Sequence, residues 1–147
     1  MLHVYTMPPF IQLFYISANG KTFTKCSLAQ ELVRDGVSRG EVHHWVCMAQ
    51  AESGMSTTAS NVNTDGSADH GIFQINDYWN CKPSNGRASK NGCGHPCSDF
   101  ENSNLRDDVA CIKQNLIWHH HDFSGFSYGY RARCKGTTAS YLSGCSY

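Results

Sequence analysis

Two acidic residues stand in sequence surroundings that suit chemistry better than folding. Glu52 lies in CMAQAESG, residues 47–54, and Asp69 lies in NTDGSADHGIFQIN, residues 63–76. A surface Glu and an Asp beside a turn are each commonplace, so neither residue alone indicates an activity. Two carboxyl groups in contrasting environments, however, are what glycoside hydrolysis requires.

The expected surroundings of these two residues differ in the way that this chemistry needs. Glu52 is expected at the C-terminal end of a helix, where a negative charge opposes the helix dipole, and the preceding Ala51 limits its contact with water. Both effects favour the protonated form of an acid. Asp69 instead lies near Asn63 and Asn76, whose amides can donate hydrogen bonds to an ionised carboxylate. The pair therefore predicts a proton donor and an ionised partner.

Three helices are predicted from apolar periodicity. The first covers CSLAQELVRDG and ends at Gly36, and the second begins at a capping box formed by Ser38 and Glu41 and ends near Glu52. The third covers NLRDDVACIKQNLI, with Asn104 as its cap. The second helix therefore carries the predicted acid.

A small antiparallel sheet is predicted between the second and third helices. Asp65 and Gly66 form a turn signal, and the run GIFQI, residues 71–75, favours a strand. Asp69 falls on this sheet. Residues 82–97 are rich in Gly, Ser, Asn and Pro and are expected to form a long loop. We therefore predict an α+β fold with two lobes and a cleft between them.

Composition limits the classes of function. The 147 residues suit one domain, and 12 basic residues balance 12 acidic ones, so nucleic acid is not an expected partner. Seven of the eight histidines follow residue 20, so the protein becomes cationic as the pH falls through about 6.5.

The N-terminus and the cysteines indicate secretion. Residues 1–20 contain no charged side chain and end in a small-x-small pattern, which predicts a signal peptide followed by a domain over 21–147. Prolines interrupt the apolar run, so a membrane anchor is not expected. All eight cysteines follow this segment and predict a disulfide framework, whose pairing the spacing alone leaves open. CGHPC lacks the second pair that a zinc finger needs.

The mature sequence resembles the c-type lysozyme family along its whole length. WVCMAQAESG, NTDGSADHGIFQIN and the spacing of all eight cysteines carry the resemblance, and KTFTKCSLAQEL is similar to the insect members. The resemblance implies a lysozyme-like α+β fold and a retaining glycosidase that cuts the β-1,4 bond between N-acetylmuramic acid and N-acetylglucosamine in bacterial peptidoglycan. It also implies the disulfides Cys26–Cys145, Cys47–Cys134, Cys81–Cys97 and Cys93–Cys111.

The resemblance assigns roles to single residues. It implies Glu52 as the general acid and Asp69 as the nucleophile or stabiliser. It implies a substrate-binding cleft of the residues Asn63, Gln74, Asn76, Trp79 and Phe126. No cofactor and no metal are expected, and the expected partner is peptidoglycan or a chitooligosaccharide bound by a secreted, extracellular monomer.

Several residues depart from the family pattern. Asn80 stands where an aromatic residue is usual, and His70 follows Asp69 where Tyr is common; a hydrogen bond within the sheet is its favoured role. Counting back from Cys134 puts Ser127 where the family has Trp. We interpret Ser127 as an inserted residue, so that Phe126 forms the aromatic wall against the acid.

Two alternatives stay open. Some family members bind calcium in the segment that corresponds to residues 97–111, where Asp107 and Asp108 match two ligands and Asn102 replaces a third. The other reading of these two acids is a favourable position at a helix N-terminus. The rival function is a secreted glycan-binding or modulatory protein that keeps this fold without catalysis, as α-lactalbumin does. Defence and digestion are not distinguished by the sequence.

Overall fold

The computed structural model describes residues 20–147. The predicted signal peptide, residues 1–20, therefore lies outside the described residues except for Gly20. Within the described part of the chain, no helix has the length and apolar character that crossing a bilayer requires.

Helix α1, Lys25–Arg34, begins at a capping box that the sequence analysis did not identify. The Thr24 hydroxyl accepts a hydrogen bond from the Ser27 backbone N–H (3.1 Å), and the Ser27 hydroxyl accepts one from the Thr24 N–H (3.0 Å). Leu28 and Leu32 on its inner face are fully buried. The chain leaves α1 through Gly36, as predicted, with φ of +103°.

Helix α2, Val42–Ser53, is the central helix and carries Glu52 in its last turn. The predicted capping box at Ser38 and Glu41 is wrong. Glu41 has helical backbone angles and gives no side-chain cap, while the Ser38 hydroxyl accepts from the Gly40 N–H at 3.2 Å. The helix is stabilised instead by burial of its apolar side chains, and it ends at Gly54 in the left-handed conformation.

Helices α3 and α4 complete the helical lobe. Helix α3, Arg106–Trp118, buries Val109 and Ile112, and the Asn104 side chain accepts a hydrogen bond from the Arg106 N–H at 3.2 Å. Leu105 is nevertheless the residue at the cap position, one residue later than predicted. Helix α4 is short, Tyr128–Arg133, and it packs against α2. Three further short helical turns are Cys97–Phe100, Phe123–Gly125 and Ala139–Leu142.

The sheet lobe consists of very short strands. Strands β1 (Ser60–Val62), β2 (Ala68–His70) and β3 (Ile75–Asn76) form an antiparallel sheet in that order, and β4 (Cys81–Lys82) pairs in parallel with β5 (His95–Pro96). In this register Asp69 on β2 lies between Asn61 on β1 and Asn76 on β3.

The predicted strand over residues 71–75 is wrong except for Ile75. Residues 71–74 form a turn instead, in which Gly71 has φ of +77° and Gln74 has φ of +52°. A Cβ atom on Gly71 would lie 1.7 Å from the carbonyl oxygen of Phe100, so only glycine fits there. The β-favouring side chains of Ile72 and Phe73 are buried in the core by this turn rather than by a strand.

One hydrophobic core joins the two lobes. Trp45 of α2 packs edge-on against both Phe73 below the sheet and Phe123 before α4. The structure contains the four disulfides implied by the resemblance: Cys26–Cys145, Cys47–Cys134, Cys81–Cys97 and Cys93–Cys111. The predicted α+β architecture is therefore confirmed, with a cleft between the lobes.

Candidate active site

A cleft of about 270 Å³ lies between the helical lobe and the sheet, and both Glu52 and Asp69 line it. Glu52 reaches it from the end of α2, and Asp69 reaches it from the middle of the sheet. The predicted binding residues that also line the cleft are Asn63, Gln74, Asn76, Trp79 and Phe126. The structure thus brings all seven predicted residues to one place.

The Glu52 carboxyl group is held through one of its two oxygens. Oε1 accepts a hydrogen bond from the Ser127 hydroxyl (2.6 Å) and another from the Gly129 backbone N–H (3.0 Å). Both hydrogen bonds that described residues donate to Glu52 therefore end on Oε1, and neither involves Oε2. A Cβ atom at position 129 would lie 3.0 Å from the Glu52 carboxyl carbon, so glycine lets the backbone approach this closely.

Ser127 has a direct role that the sequence analysis missed. Its hydroxyl oxygen caps α4 by accepting from the Tyr130 N–H (3.1 Å), which directs the hydroxyl hydrogen toward Glu52. Ser127 is only 4% exposed. The contact with Glu52 was not expected for Ser127, and its interpretation as an inserted residue stays a prediction. The serine directly before YGYRAR, at the cap position of a helix, was the available signal for this contact.

Asp69 is held from the neighbouring strand. The Asn76 side chain donates to Asp69 Oδ1 at 2.9 Å, directly across the β2–β3 register. The same amide contacts the Ser67 hydroxyl, which also accepts from the Asn63 side chain at 3.1 Å. Asn76 therefore positions Asp69 directly. Asn63 contacts Ser67, which in turn contacts Asn76, so its effect on Asp69 is indirect.

Gln74 lines the cleft and also forms hydrogen bonds that hold the wall of the cleft together. Its amide donates to the carbonyl oxygens of Gly71 (2.9 Å) and Ala59 (3.2 Å), and its Oε1 accepts from the Asn61 side chain (2.7 Å). These hydrogen bonds hold the turn of residues 71–74 against β1 and the residue before it. Gln74 is thus placed in the cleft with most of its hydrogen-bonding capacity already used by the protein.

Aromatic and amide side chains line the rest of the cleft. Trp79 is 57% exposed, which leaves much of its ring free to contact a ligand. Asn80, where the family has an aromatic residue, accepts a hydrogen bond from Asn115 of α3 at 3.1 Å. Phe126 lines the cleft and packs near Phe123, with ring centroids 6.0 Å apart. Its role as a wall against Glu52 stays a prediction.

His70 faces away from the cleft, because successive side chains of a strand point to opposite sides. Its Nε2 lies 3.1 Å from Asp77 Oδ2, and its Nδ1 contacts Glu101. Burial alone would lower the pKa of His70, but the hydrogen bonds and negative charges of Glu101 and Asp77 outweigh it and raise the pKa above the ordinary 6.5. His70 therefore ties β2 to two other segments of the sheet lobe.

The proposed calcium segment contains one unusual acid. Asp108, in the first turn of α3, is fully buried, and neither of its carboxyl oxygens has a hydrogen-bond partner among the described residues. Burial raises the pKa of Asp108 well above its ordinary value. Asn102, which stands where the family has a third ligand, accepts a hydrogen bond from the Asn104 N–H at 3.0 Å through its side-chain oxygen. The residues present therefore match a calcium site only in part.

Comparisons with known proteins agree with this geometry. The family model described as C-type lysozyme/alpha-lactalbumin family matches residues 21–145. Lysozyme c-1 of Anopheles gambiae is 39% identical, with 87% of each chain covered, and lysozyme C-1 of Anas platyrhynchos is 41% identical, with 90% of this chain and 92% of the relative covered. A crystal structure of apo-type canine milk lysozyme superposes with a TM-score of 0.76 and 38% identity, over 86% of this chain and 100% of that one. The chain therefore belongs to the C-type lysozyme/alpha-lactalbumin family and is a glycoside hydrolase of the lysozyme type.

Proposed function

We propose that this enzyme hydrolyses, with retention, the β-1,4 bond between N-acetylmuramic acid and N-acetylglucosamine in bacterial peptidoglycan. The observation that carries the proposal is that Glu52 and Asp69 line one cleft with different partners. Glu52 is held through one oxygen by two donors, and Asp69 is held by an amide across the sheet. Lysozyme is itself the type example of a retaining glycosidase with two carboxyl groups, so this mechanism is inherited from the family.

In the first step, Glu52 donates the proton on Oε2 to the glycosidic oxygen as the bond to the anomeric carbon breaks. Asp69 supplies an electron pair to that carbon and forms a glycosyl ester. The Ser127 hydroxyl and the Gly129 N–H both point at Oε1 of the carboxylate that results, so they stabilise the negative charge as it develops.

In the second step, the Glu52 carboxylate takes a proton from a water molecule, and the water oxygen attacks the anomeric carbon. The ester bond breaks, and Asp69 leaves with its electron pair. Both residues return to their starting forms. Asn76 keeps Asp69 in place throughout by its hydrogen bond to Oδ1.

The remaining predicted residues are proposed to bind the glycan. Trp79 offers an exposed ring for the apolar face of a sugar, and Asn63, Gln74, Asn76 and Phe126 line the same cleft. No cofactor takes part in this scheme.

The enzyme is proposed to act outside the cell as a monomer, in antibacterial defence or digestion of bacteria. The uncharged N-terminal segment is typical of a signal peptide, and the family match begins at residue 21, immediately after it. Four disulfides suit an oxidising compartment.

Lysis of a peptidoglycan-rich bacterial suspension tests the activity. We expect protein from a secreting host to clear the suspension, with a maximum on the acid side of neutrality, where the histidines make the protein cationic toward an anionic wall. Proton NMR of a cleaved oligosaccharide should show the β-anomer first, as retention requires. Absence of clearing from pH 4 to 8 by a protein with an intact near-ultraviolet circular dichroism spectrum would favour the non-catalytic, glycan-binding alternative.

A further inference from the structure

Helix α4 contacts α2 at two places, one near each end of α2. Near the C-terminal end, Glu52 accepts hydrogen bonds from Ser127, which caps α4, and from Gly129 in its first turn. Near the N-terminal end, the Tyr130 hydroxyl oxygen lies 2.8 Å from Nδ1 of His44. About two helical turns of α2 separate His44 from Glu52, so the two contacts together determine how α4 lies along α2.

The contact of Tyr130 with His44 lies among aromatic rings. Phe123, in the turn before α4, stacks on the Tyr130 ring with centroids 5.1 Å apart and on the His44 ring with centroids 5.8 Å apart. Tyr130 and Phe123 are both buried. Among the described residues, His44 is the one hydrogen-bond partner of the Tyr130 hydroxyl. This buried tyrosine therefore depends on His44 for the hydrogen bond that its hydroxyl needs.

The hydrogen bond requires the neutral form of His44. A neutral imidazole with its hydrogen on Nε2 accepts at Nδ1, whereas the imidazolium ion has a hydrogen on each nitrogen and no acceptor. Burial, followed by the charge of Asp122, raises the pKa of Tyr130, so its hydroxyl keeps its hydrogen and acts as the donor. Protonation of His44 would place a second hydrogen between the two atoms, and the hydroxyl would have to turn its own hydrogen toward the surrounding rings.

The groups around His44 favour this neutral form. On its own helix His43 packs against it, with ring centroids 4.1 Å apart, and Glu41 precedes the helix. From α4 the facing titratable group is Tyr130, and the turn before α4 presents the uncharged ring of Phe123. Burial and then His43 lower the pKa of His44 below the ordinary 6.5, against a smaller opposite effect of Glu41. His44 is therefore neutral in most molecules at pH 7 and becomes protonated below pH 6.5.

We propose that His44 is a positioning residue for catalysis: in its neutral form it accepts the Tyr130 hydrogen bond and holds α4 where Ser127 and Gly129 reach Glu52. Protonation of His44 weakens this contact, so the two donors at Oε1 are less well placed to stabilise the charge that develops on Glu52. A histidine outside the residues that line the cleft thus affects the rate of the chemical step. This inference rests on the proposed function, because Glu52 is the general acid in that scheme.

Kinetics of the intact protein on chitohexaose test the proposal, since a neutral substrate does not change its own charge between pH 4 and 8. His44→Leu removes the acceptor, so we expect kcat to fall about threefold to tenfold at pH 7 with KM unchanged. Tyr130→Phe removes the donor and should lower kcat by a similar factor. His44→Asn keeps a neutral acceptor near the position of Nδ1 and should restore most of kcat. It should also remove the part of the acid limb that follows His44 titration.

The amide proton of Gly129 gives a readout that does not need activity. In the Glu52→Gln protein, residue 52 does not titrate, and the introduced amide oxygen can still accept from Gly129. We expect the NMR shift of this proton to change with the same midpoint as the His44 imidazole. The change should disappear when His44→Asn is added. His121→Gln replaces an exposed histidine shortly before the Phe123–Gly125 turn and is the matched control, which should alter neither readout.

Three results would overturn the proposal. They are a Gly129 signal that does not follow His44 titration, an unchanged acid limb in His44→Asn, and a lower Tm in His44→Leu with an unchanged kcat and pH profile. The last of these would show that the contact has a structural role alone. If the Gly129 signal follows His44 in a protein that cleaves no glycan, the proposed function fails, while the link between His44 and the donors at residue 52 stands.

Discussion

At the scale of single residues, a buried serine hydroxyl is directed at the carboxyl group of Glu52. The Ser127 hydroxyl donates to the same oxygen of Glu52 as the Gly129 N–H, and its own oxygen is fixed by the Tyr130 N–H. An oriented donor of this kind needs no rearrangement when Glu52 becomes negatively charged. The proposed acid is thus held by polar contacts from Ser127 and Gly129.

Removal of this hydroxyl should slow the chemical step. We expect Ser127→Ala to lower kcat by roughly 10- to 100-fold, since a hydrogen bond to a charged group contributes about 1.5–3 kcal/mol. KM should stay the same, because the contact is with Glu52 and not with the sugar. Ser127→Thr keeps both the hydroxyl and the cap of α4 and should restore most of kcat. A loss of thermal stability with unchanged kcat in Ser127→Ala would show that the residue is only a helix cap.

The two carboxyl groups should respond differently to neutral replacement. Glu52→Gln removes the proton donor while keeping its shape, so kcat should fall by at least the roughly 10²–10⁴-fold typical of a lost general acid. Asp69→Asn removes the charge but keeps a polar group beside Asn76, and we expect a large loss with measurable residual activity. Initial rates of oligosaccharide cleavage give both values, and full activity in either variant would contradict the assigned role.

At the scale of helices and strands, local patterns predicted the helices well and the strands poorly. Helices α1 to α3 follow from apolar periodicity because each buries one continuous face. The run at residues 71–75 has the composition of a strand, but the backbone at Gly71 must turn to pass Phe100. That approach is a tertiary contact, which a local pattern does not contain.

The candidate site was predictable to a similar extent. Glu52 and Asp69 were found because their surroundings and motifs are local in sequence. The contact of Ser127 with Glu52 joins residues 75 positions apart, so a local pattern does not contain it. A cavity lined by Trp79, Lys90 and Trp118 was not predicted either, because these residues come from separate segments of the chain.

The buried acid at the start of α3 should cost stability at neutral pH. The pKa of Asp108 is raised in the folded state, so stability is fully present below the unfolded value of about 3.8 and is lost as the pH rises through the folded pKa. We expect Asp108→Asn to raise the Tm at pH 7, by an effect of roughly 1–3 kcal/mol. The gain should vanish below pH 3.8. Scanning calorimetry in a chelator measures the difference; a parent protein stabilised by millimolar calcium, with a less stable variant, would instead identify Asp108 as a cation ligand.

At the scale of the whole molecule, one histidine links the sheet lobe together. His70 on β2 contacts Asp77, which follows β3, and Glu101, which follows the Cys97–Phe100 turn. The strands of this lobe have only two or three residues, so side-chain contacts such as those of His70 stabilise it in addition to strand pairing. Asp69 is the neighbour of His70 on β2, and the link therefore stabilises the strand that carries the proposed nucleophile.

This link should make the molecule more stable on the acid side of neutrality. Because the pKa of His70 is raised in the folded state, its contribution is fully present below the unfolded value of about 6.5 and is lost as the pH rises through the folded pKa. We expect His70→Gln to lower the Tm by several degrees at pH 5.5 and by clearly less at alkaline pH. His95→Gln is the matched control, because His95 lies on the same lobe and contacts one acid, Asp99, instead of two. Its loss of Tm should differ less between the two pH values. An equal loss at every pH would contradict this account.

The first helix and the last residues of the chain are joined, and this junction determines how the molecule responds to a pulling force. Cys26 and Cys145 are bonded, and the last residues are held further by Gln30, which donates to the Ser146 carbonyl oxygen, and by Arg39, which donates to the Tyr147 carbonyl oxygen. A force applied at the two ends therefore passes through a covalent crosslink and leaves the intervening polypeptide unloaded. A single molecule stretched between Gly20 and Tyr147 should therefore lengthen only slightly until a reductant opens the bond.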